Sequence, residues 1–356
     1  MENRLLLAFV LSLGVFVGWG YFLAQVQGPL PTEEQDVKTR ETRSLPSQST
    51  GSTNSVASQS QPLPPVTPTP INQFPGREVL IQVSAGKAHF IISNRGGILK
   101  QLQLPRFKND SGETIDLIDN PDNLTGALAL KTNDPEVTKI LQNAHYEPST
   151  TSIVLDENNL EERLTLILNH SSGLQVTRTY TFHFNDYLVE MSTQVNAASM
   201  SSRNLQYQIL LGPGMGGKIS SQTDYIVFSG ATVFANNERI ENPPEDIHDT
   251  SYFKGDLKWV SFQNKYFGSA LIPQQGTKAG IVLKEKDQAF VGLELESVQS
   301  SANAEYLLYA GTKELEILET QGHDLVRMID YGWVGKKFAF LVKPLLKVLA
   351  FFYEHT

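Results

Sequence analysis

Apolar and polar positions follow four different patterns along this chain. From Leu5 to Val26 the run LLLAFVLSLGVFVGWGYFLAQV carries no charge. As a helix rising about 1.5 Å per residue it is about 33 Å long, enough to cross a hydrocarbon layer of about 30 Å. It exceeds the apolar core of a cleavable leader, about 7 to 15 residues, and its small-residue exit Val26-Gln27-Gly28 is a poor cleavage site. The pattern therefore predicts an uncleaved transmembrane anchor over 5–26. Arg4 marks its near flank, while Trp19 and Tyr21 suit the far interface. No Lys or Arg follows until Lys38, so the positive-inside rule keeps residues 1–4 in the cytoplasm and exports the remainder.

Over 27–76 the periodicity disappears. Pro, Ser, Thr and Gln dominate, and half of the chain's 18 prolines fall between Pro29 and Pro75. Such a stretch buries too little apolar surface to offset its ordering entropy, so it reads as a disordered linker. As a flexible coil it has a root-mean-square reach of about 40 Å.

From Arg77 onward the period becomes two. VTRTYTFHF places Val176, Tyr180, Phe182 and Phe184 on one face, and Thr177, Thr179, Thr181 and His183 on the other. EVLIQVS, HFIISN, ILKQLQL, RLTLILN, LVEMSTQV, LQYQILL, YIVFSG, KWVSFQ, GSALIP, GIVLK, FVGLELES and EYLLYAG read as further strands. Turn signals divide them, among them Asn94-Arg95-Gly96-Gly97, Asn109-Asp110-Ser111-Gly112, Ser171-Ser172-Gly173 and Asn185-Asp186. Many short strands without long helical patterns between them predict a mainly β domain over 77–325, a large antiparallel sandwich. One short helix is expected at DPEVTKILQNA, capped by Asp134 with Pro135 in its first turn.

The last segment, 326–356, changes to a helical period. Phe338, Leu341, Val342, Leu345, Leu349 and Phe352 share one side, and Lys336, Lys343 and Lys347 the other. Lysine is too frequent for a span, so the pattern predicts an amphipathic helix lying in a membrane interface. Tyr331 and Trp333 fit headgroup depth, and Pro344 either kinks the helix or opens its second part.

Composition narrows the chemistry. With 29 basic against 38 acidic side chains the net charge is −9, which excludes nucleic-acid binding as the main purpose. The absence of cysteine rules out disulfides, thiolate metal sites and cysteine nucleophiles. LLGPGMGGKIS mimics a phosphate loop, with Gly212, Gly217 and Lys218 in place, but Ile219 stands where Ser or Thr must hold magnesium, and a strand pattern follows where a helix is needed. It reads as a glycine-rich bend, so neither nucleotide nor any other cofactor is expected. The seven histidines show no metal-ligand spacing, His183 reads as an outward strand residue, and Glu161-Glu162 and Glu294 with Glu296 read as solvated carboxylates. No catalytic residue is expected. The alternative is a membrane-tethered carbohydrate-binding or sugar-epimerase-like sandwich, which needs a histidine and carboxylates in one cleft.

Together, the anchor, the linker and the β body resemble the N-terminal part of the YidC-type bacterial membrane protein insertases. The most specific pieces are Lys258-Trp259 with Lys265-Tyr266-Phe267, Tyr309-Ala310-Gly311 with Lys313, and Ile329-Asp330-Tyr331-Gly332-Trp333 followed by Lys343-Pro344-Leu345. The resemblance covers essentially the whole chain. It implies a periplasmic β-supersandwich of galactose mutarotase-like shape and an amphipathic helix on the periplasmic membrane surface. It also implies residence in the bacterial inner membrane, and the lipid bilayer, nascent membrane proteins and Sec translocon components as partners. In that family five further transmembrane helices follow and form the insertase core. Nothing of the kind follows Thr356, so truncation ahead of that core is the expectation.

Overall fold

The computed structural model describes residues 76–118, 125–213 and 228–329. Within them the protein is mainly β, built from three sheets. The first has five strands in the order β4 (Thr114–Asp116), β3 (Leu99–Lys108), β2 (His89–Ser93), β1 (Leu80–Ser84) and β7 (Ser152–Val154). The large sheet runs β13 (Glu238–Asn242), β12 (Gly230–Ala235), β15 (Leu257–Gln263), β16 (Phe267–Gln275), β20 (Ser301–Thr312), β10 (Leu188–Asn196), β9 (Gln175–His183), β8 (Glu161–Asn169) and β6 (Glu147–Pro148). A short β19 (Ser297–Val298) folds back onto β20. The third sheet is ordered β14 (Ser251–Phe253), β17 (Thr277–Glu285), β18 (Gln288–Leu295), β11 (Tyr207–Leu211) and β5 (Ala129–Thr132).

The two five-stranded sheets lie side by side against the large one. They are joined where Leu99 N–H donates to Ala127 O and Leu128 N–H donates to Leu210 O. Phe90 of the first sheet meets Phe182 of the large sheet with ring centroids 5.1 Å apart. Val260 and Leu257 of the large sheet crowd the face of Gly280 in the third. One continuous apolar core results, and it includes Val176, Tyr180 and Phe182 as their alternation requires. A smaller cluster of Leu210, Ile281, Leu283 and Phe290 lies apart from it, on the other face of the third sheet.

The sandwich departs from the antiparallel expectation at one pairing. β1 and β7 run parallel, with Gln82 opposite Ser152 and Ser84 opposite Val154. The cause is the long connection between them, which leaves the first sheet, passes through the helix Pro135–Asn143 and re-enters beside β1 in the same direction. That helix is the expected one. The Asp134 carboxylate accepts from Glu136 N–H at 2.9 Å and Val137 N–H at 3.2 Å, and Val137 and Leu141 face the core. Arg203 binds the same carboxylate at 2.7 Å and holds its pKa below the ordinary aspartate value. The Gly96-Gly97 turn has positive φ at both residues, +69° and +60°, a conformation that favours glycine.

Candidate functional site

The membrane residues expected from sequence lie outside the described residues. These are Arg4, Trp19 and Tyr21 at the anchor, and Tyr331, Trp333, Lys336, Phe338, Leu341, Lys343, Leu345, Lys347, Leu349 and Phe352 in the final segment. Among the described residues, no helix is long and apolar enough to cross a membrane, and no three acidic or histidine side chains converge as metal ligands. His183 points outward, half-exposed, with Nε2 3.4 Å from Glu190 Oε1 and Nδ1 3.8 Å from Glu161 Oε2. Glu294 corrects the expectation of a solvated carboxylate. It is 4% exposed, and the Lys278 ammonium donates to it at 2.8 Å. Burial is possible because the lysine reaches in from the surface and supplies the compensating charge.

The described motif residues lie on β15, β16 and β20, neighbouring strands of the large sheet, and on the segments that follow β20. Trp259 of β15 is fully buried, 5.5 Å between ring centroids from Phe234, and its indole N–H donates to Asp324 O at 3.4 Å. Gly311 lies against the Tyr187 ring so closely that a Cβ would sit 2.8 Å from it. The Tyr309 hydroxyl donates to Thr312 O, and burial holds that phenol well above its ordinary pKa. Lys313 N–H donates to Tyr266 O at 2.7 Å, and its ammonium donates to Asn264 O at 3.0 Å, so the β15–β16 turn is tied to the end of β20. The helix Leu315–Gln321 and the turn Leu325–Met328 then cover this end, with Leu318, Leu325 and Met328 in the core. Every motif residue named here secures the base from which the chain continues beyond Ile329. Its chemistry is packing.

A second feature escapes the strand alternation. Arg178 of β9 points into the core, fully buried, between the inward-facing Val176 and Tyr180 of the same strand. Its Nη1 donates to Gly97 O at 2.7 Å, and the Tyr180 hydroxyl donates to the same oxygen at 3.1 Å. Burial pushes the Tyr146 phenol up to about 12 and Tyr180 higher, so both remain neutral beside the guanidinium. Among the described residues Arg178 Nε and Nη2 form no well-aligned hydrogen bond, though the Tyr306 phenol also lies close to the guanidinium. The arginine thus pins the first sheet's turn to the large sheet.

The third feature is an open cleft of about 720 Å³ on the outer face of the large sheet. It is floored by β9, β10 and β20 at the end opposite Trp259, and walled by β19. Thr177, Gln194 and Asn303 lie side by side on the three strands, and Gln175 faces Asn196 one step along. Sequence reasoning placed Thr177 on the outer face, and Gln194 meets it across the hairpin of β9 and β10; Asn303, which arrives from a distant part of the chain, could not be joined to them.

Comparison with known proteins completes this picture. A family model described as the YidC periplasmic domain matches residues 80–348. Curated relatives include the membrane protein insertase YidC of Geobacter metallireducens, 26% identical over 368 residues that cover 100% of this chain and 65% of the relative. Its counterpart in Geobacter sulfurreducens is 28% identical over 275 residues, covering 74% of this chain and 50% of the relative. The chain therefore spans 50 to 65% of the length of these two relatives. Similar solved structures include a galactose mutarotase related enzyme from Lactobacillus acidophilus, with TM-score 0.42, 8% identity, and coverage of 65% of this chain and 97% of that one. The Slr1438 protein from Synechocystis scores 0.41 at 9% identity, covering 68% and 99%. Neither likeness bears on function at these scores. The sequence match over 80–348 does, and by it the chain belongs to the YidC periplasmic domain family.

Proposed function

We propose that this chain is the exported N-terminal portion of an inner-membrane insertase and chaperone, aiding the insertion and folding of membrane proteins. The observation that carries the reading is the family match across residues 80–348, joined to an uncharged run of spanning length at Leu5–Val26. In this reading residues 1–4 stay in the cytoplasm and 5–26 anchor the chain. Residues 27–76 form the tether, and the sandwich stands in the periplasm. The segment 326–356, after the turn that ends at Met328 in the core, rests on the periplasmic membrane surface through the aromatic and lysine residues named above, with the lipid bilayer itself as a partner. The packing of Leu318, Leu325 and Met328 onto the sandwich supports this arrangement, because it ties the chain to the body just ahead of Ile329.

The physical task is set by the bilayer. A charged side chain at its centre costs about 2.5 to 3.5 kcal/mol on insertion scales, so a client with polar flanks gains from protein surfaces that accompany those flanks. The sandwich is the surface on offer on the outer side, to nascent membrane proteins and to Sec translocon components. Membranes washed in alkaline carbonate should retain the full chain, and removal of residues 1–26 should release it. Protease should reach the sandwich in spheroplasts; protection there would overturn the orientation. A ribosome-stalled inner-membrane protein with a photocrosslinker in its exported flank should form an adduct with this chain. Absence of adducts at every stall length would overturn the insertion role.

A further inference from the structure

The sandwich carries, around the end of β20 at Thr312, exposed side chains that take no part in its packing. Several turns meet there. The β15–β16 turn is bound to Lys313, whose N–H donates to Tyr266 O and whose ammonium donates to Asn264 O. The end of β3 joins it through Phe107, which meets Phe267 edge-on with ring centroids 5.3 Å apart. Burial raises the pKa of the Tyr187 phenol and the Arg106 guanidinium opposes that shift, so Arg106 stands near the ring that packs on Gly311. Met328 closes the group, because a Cβ on Gly268 would sit 2.9 Å from its sulfur.

What this end shows to solvent suits an interface between water and lipid. Tyr266 is 40% exposed, with the Lys265 ammonium 5.0 Å from its ring centroid. Arg106 and Lys108 are exposed on either side of Phe107, and among the described residues neither pairs with a carboxylate. The Lys108 ammonium donates to the neutral Thr114 hydroxyl at 2.6 Å. Carboxylates of the same end are held by the protein: Asp186 accepts from Tyr187 N–H, Leu188 N–H and Gln321 Nε2, and Glu314 accepts from Thr312 Oγ1.

Position decides what this surface meets. The backbones of Tyr266 and Gly268 are at most about 7 Å apart. Met328 touches the second of them, and the chain leaves the body one residue later at Ile329. A segment that continues from there in the headgroup layer, about 5 to 8 Å deep, brings the turn to that same layer. Tyrosine and the long basic side chains work at such a depth, each with an apolar stem and a polar tip that reaches phosphate. The chain as a whole has a net charge of −9 and is repelled by an anionic surface. Salt screens charges beyond about 8 Å, so the basic groups nearest the lipid outweigh the distant acidic ones.

We propose that this end of the sandwich, led by Tyr266, Arg106 and Lys108, docks on the bilayer, with its cations on the phosphates of the lipid headgroups. That a bilayer is within reach rests on the membrane-bound reading of the chain; which part of the body meets it rests on the residues of this end.

The chain has no cysteine, so Tyr266→Cys, Lys108→Cys and Val298→Cys each create a unique thiol for a fluorophore. Val298 is the control, since its partner Ser301 lies about 36 Å from Thr312 along β20. The full chain is placed in vesicles of phosphatidylethanolamine and phosphatidylglycerol that contain a lipid with a nitroxide on its headgroup, a short-range quencher. Flotation reports attachment. The labels at positions 266 and 108 should lose fluorescence and the label at 298 should keep it. Arg106→Gln with Lys108→Gln in the Tyr266→Cys background should lower the ratio of docked to undocked molecules about tenfold or more, the effect of two basic groups at an anionic surface. The melting temperature should stay unchanged. Attachment without quenching at either docking position overturns the proposal and leaves the insertase reading standing. So does equal quenching at position 298, or quenching that the double variant leaves intact. A chain that fails to float sinks the membrane-bound reading, and the docking with it.

Discussion

The two halves of strand β20 are built for different purposes. From Ser301 to Leu307 its side chains alternate, with Ala302, Ala304 and Tyr306 in the core and Asn303 and Glu305 exposed. From Leu308 to Thr312 all five residues are buried. One strand therefore passes from a half-buried surface to a fully enclosed one within twelve residues. At the enclosed end the Tyr309 hydroxyl and Lys313 are paired, while Ser269 Oγ and Gln263 Oε1 beside them are buried without a partner among the described residues, and the packing leaves no room at Gly311 for a methyl group. At the open end Asn196, Gln175 and Ser301 are paired, and Thr177, Gln194 and Asn303 stand in register on the solvent face with no hydrogen bond to another described residue. Pairing and two-sided burial identify structural residues.

Substitution at the enclosed end is expected to have the largest effect. Trp259→Ala removes a fully buried indole and its bond to Asp324 O, and should cost about 3 to 5 kcal/mol in chemical denaturation of the full chain in detergent. A loss below about 1 kcal/mol would mean that this end is loosely packed, and the contrast would fail. Gly311→Ala drives a methyl into the Tyr187 ring, which cannot withdraw because it is itself buried. The expected cost is about 1 to 3 kcal/mol, read in the same experiment.

Between the two ends, neighbouring β9 supplies a sharper trial. Arg178 is a buried cation whose surroundings are the phenols of Tyr146, Tyr180 and Tyr306 and one carbonyl, and two of its nitrogens have no well-aligned hydrogen bond among the described residues. Desolvation of such a charge costs several kcal/mol, and an apolar side chain of similar length avoids it. Arg178→Met should therefore leave stability unchanged or raise it by about 1 kcal/mol. A fall of about 3 kcal/mol or more would instead show that the guanidinium's hold on Gly97 O outweighs its desolvation.

These residues also mark how far the sequence could be read. Local signals carried through: Asp134 and Pro135 open the short helix, and the alternation of Val176, Tyr180 and Phe182 turns them inward. Arg178 and Glu294 were not legible, since a charged residue in a period-two pattern belongs outside unless a distant partner admits it. Their partners, Gly97 and Lys278, could be assigned only once the sheets were stacked. The parallel pairing of β1 with β7 and the cleft share that cause. Thr177 and Gln194 are neighbours across a hairpin, whereas Asn303 joins them only because β10 pairs with β20 across more than a hundred residues of chain. Periodicity reports which face a residue occupies and is silent on which strand lies beside it.

The smallest expected effect is the one the comparison most depends on. Gln194 and Asn303 are exposed, bond to no described residue, and sit on strands whose inner faces are complete. Replacing both with Ala removes no buried contact and strands no partner, so the change in stability should stay within about 0.5 kcal/mol. Replacement of Tyr306, opposite Met191 one step along the same pair of strands, would not be so mild, because its hydroxyl is paired with Thr193 Oγ1 at 2.8 Å inside the core. The double variant is thus expected to keep the unfolding midpoint and slope of the parent. If instead it unfolds earlier, the polar row contributes to the sheet itself, and the distinction between a packed end and an open end disappears.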